Sequence, residues 1–433
     1  MSIYDGLKEI EEELMKCMKC GNCQAVCPIY KETRAEASVA RGKLKLAEAI
    51  LKGEIGYTPG IAKRFDLCLT CEACSANCPC GVKVHEVILA ARAELARQKG
   101  LPTAKKAAFN LLRHPKLFDL GLRVGGKFQG LAFKRKKKGM SPRFPIGLES
   151  RRVLPSLAEK PLKSLIPEES KVKQPRRKVA FFSGCVTNYI YTSVGQAVVE
   201  VLNYNDIDVV FPKEQHCCGA PALINGDVEC AREMAKSHVD LFSKLDVEAI
   251  ITICGTCGES FKEKYGQLLE KDPIYAGKAK AIAQKTYDIS EYLVDVLKVD
   301  FSKLGPVDMT FTYHEPCHLG RGLGITRQPL EILQNIPGLI YKPLKAPNRC
   351  CGGAGSFSLT NYPMSYQILG KKLEDIQGTG ADTVITGCGS CRMQLEDGLA
   401  QEKMGQNVMH IIEVVHKAYQ NRQQKKDPAQ KAG

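Results

Sequence analysis

The spacing of apolar and polar residues divides the chain into a helical N-terminal part and a C-terminal part in which apolar runs alternate with helices. Over residues 2–14 the apolar positions recur every three or four residues, which is typical of one face of a helix. The same period predicts helices over 37–51, 84–96, 103–112 and 115–122. Six prolines between 142 and 175 then predict an extended connector.

An internal duplication follows from residue 178. Short apolar runs predict strands over 178–183, 247–253, 308–313 and 381–386, each directly before a cysteine, and helices over 289–297 and 411–419 close the two copies. The offsets between equivalent cysteines are 132, 133 and 134 residues, for the pairs Cys185/Cys317, Cys217/Cys350 and Cys254/Cys388. Strands alternating with helices predict parallel sheets, whose ligands lie beyond the carboxyl ends of the strands. We therefore expect two related lobes, each with a site at its strand ends.

The fold class expected is a multidomain α+β and α/β protein, in which a mostly helical, ferredoxin-like domain precedes two α/β lobes. The 433 residues suffice for several ordinary cores. The boundaries we predict are 1–100 for the N-terminal domain, 101–177 for a helical and basic connector, 178–305 for the first lobe, 306–422 for the second lobe, and 423–433 for a polar tail.

Eighteen of the twenty cysteines fall into four groups, and two of these groups share one motif. Each has three cysteines spaced by two residues and a fourth followed by proline, a pattern of 4Fe–4S ferredoxins in which the fourth cysteine binds the other cluster. This predicts a first four-cysteine site of Cys17, Cys20, Cys23 and Cys78, and a second of Cys68, Cys71, Cys74 and Cys27. Zinc knuckles are the alternative, but they rarely use this spacing twice.

The other two groups each have five cysteines, including an adjacent pair before glycine. The first five-cysteine site is predicted from Cys185, Cys217, Cys218, Cys254 and Cys257, and the second from Cys317, Cys350, Cys351, Cys388 and Cys391. Five thiolates exceed what a cubane or a tetrahedral zinc requires, which favours a larger or irregular cluster with bridging thiolates. Zinc in one repeat remains an alternative.

Several further residues lie near these motifs. Cys80 and Cys230 are surplus, and we interpret them as small buried apolar residues. His216, His314 and His318 flank the five-cysteine sites, where a histidine could donate a hydrogen bond to sulfur or simply pack; Glu315 is a weaker candidate.

The formal net charge is +15, and much of the excess lies in the connector, including residues 134–138, Arg143 and Arg151–Arg152. A solvated linker is one interpretation, and contact with anionic lipid or an acidic partner is another. No recognition motif for nucleic acid accompanies the charge. Without an apolar stretch of about 18 residues or a signal-peptide pattern at the start, we expect a cytoplasmic protein with reduced thiols, peripherally attached at most to the inner face of the membrane through 133–152.

The motif order resembles that of the iron–sulfur subunit of glycolate oxidase and of related FAD-linked D-lactate dehydrogenases. The matching stretches are CMKCGNCQAVCPIY, ARGKLKLAEAI, CLTCEACSANCPCGV, HEPCHL and CCGGAGSFS. The resemblance covers nearly the whole chain apart from 123–177. The chain is similar, less closely, to the catalytic iron–sulfur subunit of heterodisulfide reductase and to the small iron–sulfur subunit of anaerobic glycerol-3-phosphate dehydrogenase.

The resemblance implies a subunit that relays electrons between a partner FAD subunit and a quinone or another carrier, with an electron-transfer flavoprotein or a quinone-reducing membrane protein as further partners. It implies two ferredoxin-type 4Fe–4S clusters and one or two noncubane 4Fe–4S clusters at the five-cysteine sites. No Gly-x-Gly-x-x-Gly follows a first strand, so we expect neither flavin nor NAD on this chain and assign oxidation of the organic acid to the partner. Because both five-cysteine sets are complete, reduction of a disulfide at a noncubane cluster remains an alternative, and a zinc-stabilised scaffold is a remote third.

Overall fold

The N-terminal domain is built from helices. The computed structural model describes residues 2–136, 139–144 and 148–431. In the N-terminal domain it contains α1 Glu11–Met15, α2 Asn22–Val26, α3 Pro28–Thr33, α4 Ala40–Leu51, α5 Pro59–Asp66, α6 Ala73–Ala76 and α7 Val84–Lys99, with 3₁₀ turns at Leu7–Ile10 and Glu36–Ser38. The first ten residues of α7 are all buried, because this helix lies between the rest of the domain and the first lobe.

The connector differs from the sequence-based expectation. It contains α8 Thr103–Arg113, α9 Pro115–Ala132 and a hairpin of β1 Phe133–Lys136 and β2 Gly139–Pro142. The helix expected to end at 122 thus continues to Ala132, because apolar residues keep the helical period through Leu131 in spite of four glycines. Lys137, Lys138 and Pro145 lie outside the described residues. A solvated linker is wrong for Arg152, which is buried and donates to Ser358 Oγ at 2.9 Å in the second lobe.

The first lobe is a five-stranded sheet with helices on both faces. Its elements are β3 Glu169–Ser170, β4 Arg177–Phe182, α10 Gly184–Tyr189, α11 Thr192–Tyr204, β5 Ile207–Val210, α12 Ala220–Ile224, α13 Val228–Phe242, β6 Ala249–Thr252, α14 Gly255–Glu259, α15 Tyr265–Leu269, α16 Ala276–Lys285, β7 Thr286–Asp288 and α17 Ile289–Glu291. A 3₁₀ turn at Leu162–Ser164 and π-helical turns at Ser260–Lys264 and Tyr292–Val296 complete it. The strand order is β3-β5-β4-β6-β7, parallel except for β3.

The second lobe repeats this arrangement without the antiparallel edge strand. A 3₁₀ turn at Phe301–Lys303 leads into β8 Met309–His314, a π-helical turn at His318–Gly322, α18 Arg327–Gln334, β9 Leu339–Tyr341, α19 Phe357–Thr360, α20 Tyr362–Thr379, β10 Thr383–Thr386, α21 Gly389–Gln401, β11 Asn407–His410 and α22 Ile411–Lys431. The parallel order β9-β8-β10-β11 matches β5-β4-β6-β7 strand for strand. Residues 423–431, expected as a polar tail, continue α22.

The two lobes share a hydrophobic core. Helices α11 and α22 pack against each other, and one cluster of buried residues joins the sheets of both lobes, including Phe181, Val198, Tyr313 and Val415. Burial of this many large apolar side chains fixes the lobes relative to each other. The carboxyl ends of β4, β6, β8 and β10 therefore meet at the junction between the lobes.

Candidate metal centres

The first four-cysteine site lies in the loops around α2 and α6. Cys17, Cys20, Cys23 and Cys78 line one small cavity together with Cys74 and Cys80. In the loop between the first cysteines, Lys19 and Gly21 have φ values of 60° and 90°. The second motif repeats this conformation, with φ of 48° at Thr70 and 60° at Glu72. Left-handed non-glycine residues cost about 1 kcal/mol or more each, so their recurrence at equivalent positions fits loops shaped to enclose a bound group.

The second four-cysteine site takes its fourth cysteine from the first motif. Cys27 lies close enough to Cys68 and Cys71 for their charges to interact, and Cys74 interacts with the same three residues. Burial raises the pKa of Cys27 to about 11, so its thiolate needs a compensating cation. Backbone N–H groups of Tyr30 and Thr70 lie 3.5 Å from the sulfurs of Cys27 and Cys68. Partly buried thiols with amide donors near sulfur fit an iron–sulfur cluster. Cys27 lies among the cysteines of the second motif and Cys78 beside those of the first, and the ligand sets themselves stay a prediction.

The two five-cysteine sites open into one cavity of about 110 Å³ at the junction between the lobes, and all ten of their cysteines line it. The sulfurs of Cys254 and Cys388 are 3.8 Å apart, so the sites touch. The packing around them is reciprocal between the lobes. A Cβ on Gly255 would lie 2.5 Å from the backbone nitrogen of Leu319, and a Cβ on Gly389 would lie 2.8 Å from Val186 Cγ1. Glycine after Cys254 and Cys388 thus allows each cysteine loop to approach the opposite lobe.

Neighbouring thiol groups, each close enough to the next to shift its pKa, form a continuous series across this cavity. The series runs through Cys185, Cys217, Cys218, Cys257, Cys254, Cys388, Cys391, Cys351 and Cys350. Contact with neighbouring thiols lowers the pKa of Cys218, Cys254 and Cys351, while the pKa values of Cys217, Cys257 and Cys391 rise. Every cysteine among the described residues is a free thiol. A dense group of buried free thiols is a donor set for iron or zinc.

One thiol contact joins the N-terminal domain to the lobes. Cys71 of the second four-cysteine site contacts Cys350 of the second five-cysteine site, which also contacts Cys317. Arg321 supports this junction by donating to the carbonyl oxygen of Cys71 at 3.1 Å. The four sites are therefore adjacent in a fixed order, from the first four-cysteine site to the first five-cysteine site.

The histidines predicted near the sites have three different environments. Both ring nitrogens of His314 are buried without a hydrogen-bond partner among the described residues, and one of them lies within 4.8 Å of the sulfurs of Cys351 and Cys391. His314 therefore points at the second five-cysteine site. The His216 ring is 3.1 Å from the Cys217 carbonyl oxygen. It also packs against the ring of His238, a residue that no sequence motif indicated, with 4.1 Å between centroids and ring planes tilted by 36°.

His318 belongs to a buried ionic cluster that no sequence motif indicated. It hydrogen-bonds to Glu259, whose other oxygen is 3.0 Å from Lys264 Nζ. Burial alone would raise the pKa of Glu259, but His318 and Lys264 lower it well below its usual range. Burial opposes charge on His318, yet Glu259 raises the pKa of this histidine to about 9. Glu72 of the N-terminal domain lies in the same group. Residues far apart in sequence form this cluster, so no local motif marks it.

Three candidates remain outside the predicted ligand sets. Cys230 is fully buried, 3.8 Å from Met234 Sδ, as expected for a small apolar residue. Cys80 is only half-buried and lines the first cavity, so it differs from the small buried apolar residue that was expected. Glu315 is half-buried, and burial raises the pKa of its carboxyl group.

Comparison with known proteins agrees with this geometry. The model of the 4Fe–4S dicluster domain family matches residues 13–82, and that of the cysteine-rich domain family matches 179–262 and 311–396. The chain is thus an iron–sulfur protein with a 4Fe–4S dicluster domain and duplicated cysteine-rich domains.

Sequence similarity to individual proteins identifies the family within this class of iron–sulfur proteins. The chain is 31% identical over 423 residues to the "Probable glycolate oxidase iron-sulfur subunit" of Bacillus subtilis (strain 168), covering 94% of each chain. It is 38% identical to "Lactate utilization protein A" of Bacillus cytotoxicus over 242 residues, 55% of this chain and 98% of that one. The chain belongs to the family of glycolate oxidase iron–sulfur subunits, and its role is electron transfer of the glycolate oxidase or lactate utilization type. A crystal structure of a hypothetical protein from Helicobacter pylori has the same fold, with a TM-score of 0.54 at 11% identity, covering 95% of this chain and 72% of the other.

Proposed function

We propose that this chain is the electron-transfer subunit of a 2-hydroxyacid dehydrogenase complex acting on glycolate or D-lactate. A partner FAD subunit oxidises the acid, and this chain passes the electrons to a quinone or another carrier. When bound, the iron–sulfur clusters supply one-electron chemistry without any covalent step on the organic acid. The contact of Cys71 with Cys350 carries the proposal, because it joins the dicluster domain to the lobes through thiols that belong to both sites.

The cysteines would hold four clusters. Cys17, Cys20, Cys23 and Cys78 would bind one cubane, and Cys68, Cys71, Cys74 and Cys27 would bind the other. The five-cysteine sets would each hold a noncubane 4Fe–4S cluster, for which their adjacent cysteine pairs supply bridging thiolates. Support for four rather than two clusters comes from the completeness of both five-cysteine sets and from the single cavity they line.

Two substitutions test the proposed route. The anaerobically purified chain should show iron–sulfur absorption, oxidise neither glycolate nor D-lactate alone, and reduce a soluble quinone when the FAD subunit and substrate are added. Cys71→Ser should abolish quinone reduction in this mixture. Cys230→Ser, a buried cysteine outside all four sites, is the matched control and should keep it. Oxidation of either acid by the lone chain, or full activity of Cys71→Ser, would contradict the proposal.

A second function, reduction of a disulfide, is favoured by a different observation. Both five-cysteine sets line one cavity, and one ring nitrogen of the buried His314 lies within 4.8 Å of the sulfurs of Cys351 and Cys391, with no hydrogen-bond partner among the described residues. Cleavage of a disulfide consumes two electrons and two protons and gives two thiols. The isolated protein, chemically reduced, should then convert a small disulfide into two thiols per two electrons supplied. Thiol production at the rate of the reductant alone would exclude this function.

The position of the complex in the cell follows from the same proposal. We place it at the inner face of the cell membrane, attached peripherally, since a quinone acceptor resides in the bilayer. The basic residues of 133–152 support this position through attraction to anionic lipid.

A further inference from the structure

Helix α9 exposes a continuous apolar face. Leu117, Leu120, Val124, Phe128 and Leu131 are between 48% and 71% exposed. Their steps of three, four, four and three residues place them within an arc of about 80°, at the roughly 100° that each helical residue turns. Phe144, after the hairpin, is 62% exposed as well. Single exposed apolar residues are normal on a protein surface, but a helical row of five marks an interaction surface.

The opposite face of α9 is already occupied by this chain. The Phe118 ring makes an edge contact with Tyr189 at 5.5 Å between centroids, and the Tyr189 hydroxyl donates to Asp119 at 3.1 Å. Leu157 N–H donates to Gln129 Oε1 at 3.0 Å. These contacts attach α9, through its less apolar face, to the first lobe and to the segment of the connector that leads into it. Because α9 is attached through its opposite face, the apolar row points outward.

The charges around the apolar row are almost all positive. Lys116, Arg123 and Lys127 lie along one edge of the row, and Lys134, Arg135 and Lys136 are exposed directly after it. Between residues 101 and 148 the sequence has twelve Lys or Arg residues and a single acidic residue, Asp119. Asp119 is neutralised by Lys163 at 2.9 Å and Arg123 at 3.2 Å. This surface is complementary to a layer of negative headgroups over an apolar interior.

We propose that α9 lies in the plane of an anionic bilayer, with Leu117, Leu120, Val124, Phe128 and Leu131 buried below the headgroups. In the described part of the chain, no helix is both long enough and apolar enough to cross a bilayer. An apolar face flanked by basic residues instead defines an interfacial helix. This proposal rests on the proposed function. It adds a hydrophobic anchor, helix α9, to the electrostatic attraction of the basic segment.

The anchor would also orient the electron-transfer sites. Tyr189, which α9 contacts, is the last residue of α10, and Cys185 of the first five-cysteine site is the second residue of that helix. Four residues of helix rise by about 6 Å. The end of the series of sites that is remote from the first four-cysteine site would thus lie beside the bilayer, where a lipid-soluble acceptor resides.

Vesicle flotation tests the inference with the full holoprotein. Vesicles of phosphatidylcholine with phosphatidylglycerol should bind the wild type, and pure phosphatidylcholine vesicles should bind it much less. Leu117→Glu/Leu131→Glu should lower the partition coefficient for anionic vesicles by about tenfold or more, since it removes two buried leucines and adds two negative charges. Ile274→Glu/Ile340→Glu is the matched control, because it makes the same charge change at apolar residues that are 64% and 56% exposed on the lobes. It should bind vesicles better than the leucine variant.

The salt response separates the two contributions to binding. If the apolar row inserts, part of the bound protein should stay on the vesicles at 1 M salt, where surface charge is screened. Complete release at 1 M salt, or equal flotation of the leucine variant and the wild type, would overturn the inference. If the leucine variant loses binding to the FAD subunit while its flotation is unchanged, the inference is overturned in favour of a protein-docking face. Iron content and quinone reduction in detergent report on the proposed electron transfer, so failure of the anchor and failure of that function are distinguishable.

Discussion

Replacing Arg92 should weaken the attachment of the N-terminal domain to the first lobe and lower the stability of the protein. Arg92 is 5% exposed, and within the described residues its guanidinium group hydrogen-bonds to backbone carbonyl oxygens and to no carboxylate. Its guanidinium group donates to the carbonyl oxygens of Phe65 at 2.8 Å, Asp66 at 3.2 Å and Cys68 at 2.7 Å, and to that of Ile224 in the first lobe at 2.9 Å. One side chain thus fixes the loop that carries Cys68 and joins it to another domain.

Arg92→Met keeps most of the side-chain volume and removes all of the donors. Each buried carbonyl group left without a partner costs about 1–3 kcal/mol, and adjacent groups relax together, so we expect a total loss of about 4 kcal/mol. Arg97→Met is the control, since it makes the same change on the same helix at a side chain that is 61% exposed. Surface changes of this kind cost about 0.5 kcal/mol or less.

Guanidinium titration under anaerobic conditions measures this effect. Visible absorption reports loss of the clusters, and far-UV circular dichroism reports unfolding. Arg92→Met should lose visible absorption at a clearly lower denaturant concentration than the wild type, with Arg97→Met close to the wild type. Equal midpoints for the wild type and Arg92→Met would refute the reasoning that Arg92 holds these domains together.

Three further predictions concern one cysteine of the sites, the close approach of the two lobes, and a buried carboxyl group in the first lobe. Cys71→Ser should lower the iron content by about four atoms per chain relative to Cys230→Ser, as measured by iron analysis, because one 4Fe–4S site loses a ligand; equal iron in both variants would contradict the assignment of Cys71. Gly255→Ala should destabilise the chain by about 1–3 kcal/mol, because its Cβ would lie 2.5 Å from Leu319 N. Gly277→Ala in α16, where a Cβ meets nothing within 4 Å, should instead stabilise it by about 0.5–1 kcal/mol, and denaturant midpoints that fail to separate the two variants would refute the close approach. Burial raises the pKa of Asp288 to about 7 from about 4 in the unfolded chain, so the folded state retains a proton that the unfolded state releases, and stability should fall as pH rises from about 4 to 7. Asp288→Asn should lose less stability over this window, and identical pH profiles of the unfolding midpoint would exclude the effect.

The spacing of the cysteines within one motif predicted that Cys17, Cys20 and Cys23 lie together in a single loop, because such a loop is a local property of the chain. The apolar runs likewise predicted the strands: the runs over 178–183 and 308–313 coincide with β4 and β8 to within one residue at each end. The mixed fold with a dicluster domain and duplicated cysteine-rich domains is confirmed.

Such local patterns do not predict contacts between distant segments of the chain. Cys71 meets Cys350, and Glu259 meets His318, although no periodicity links these positions. The sequence also shows apolar residues on α9 without showing whether they face a core or solvent. Four glycines made that helix look as if it ended early, because glycine disfavours helix when packing is ignored.

The metal content of the anaerobically purified chain tests the central claim most directly, that all four cysteine sites bind iron and together transfer electrons. We predict about sixteen iron and sixteen sulfide per chain, on the basis of four irons per cluster. A colourless protein with little iron, whose thiols are oxidised to disulfides or bind zinc, would contradict this account.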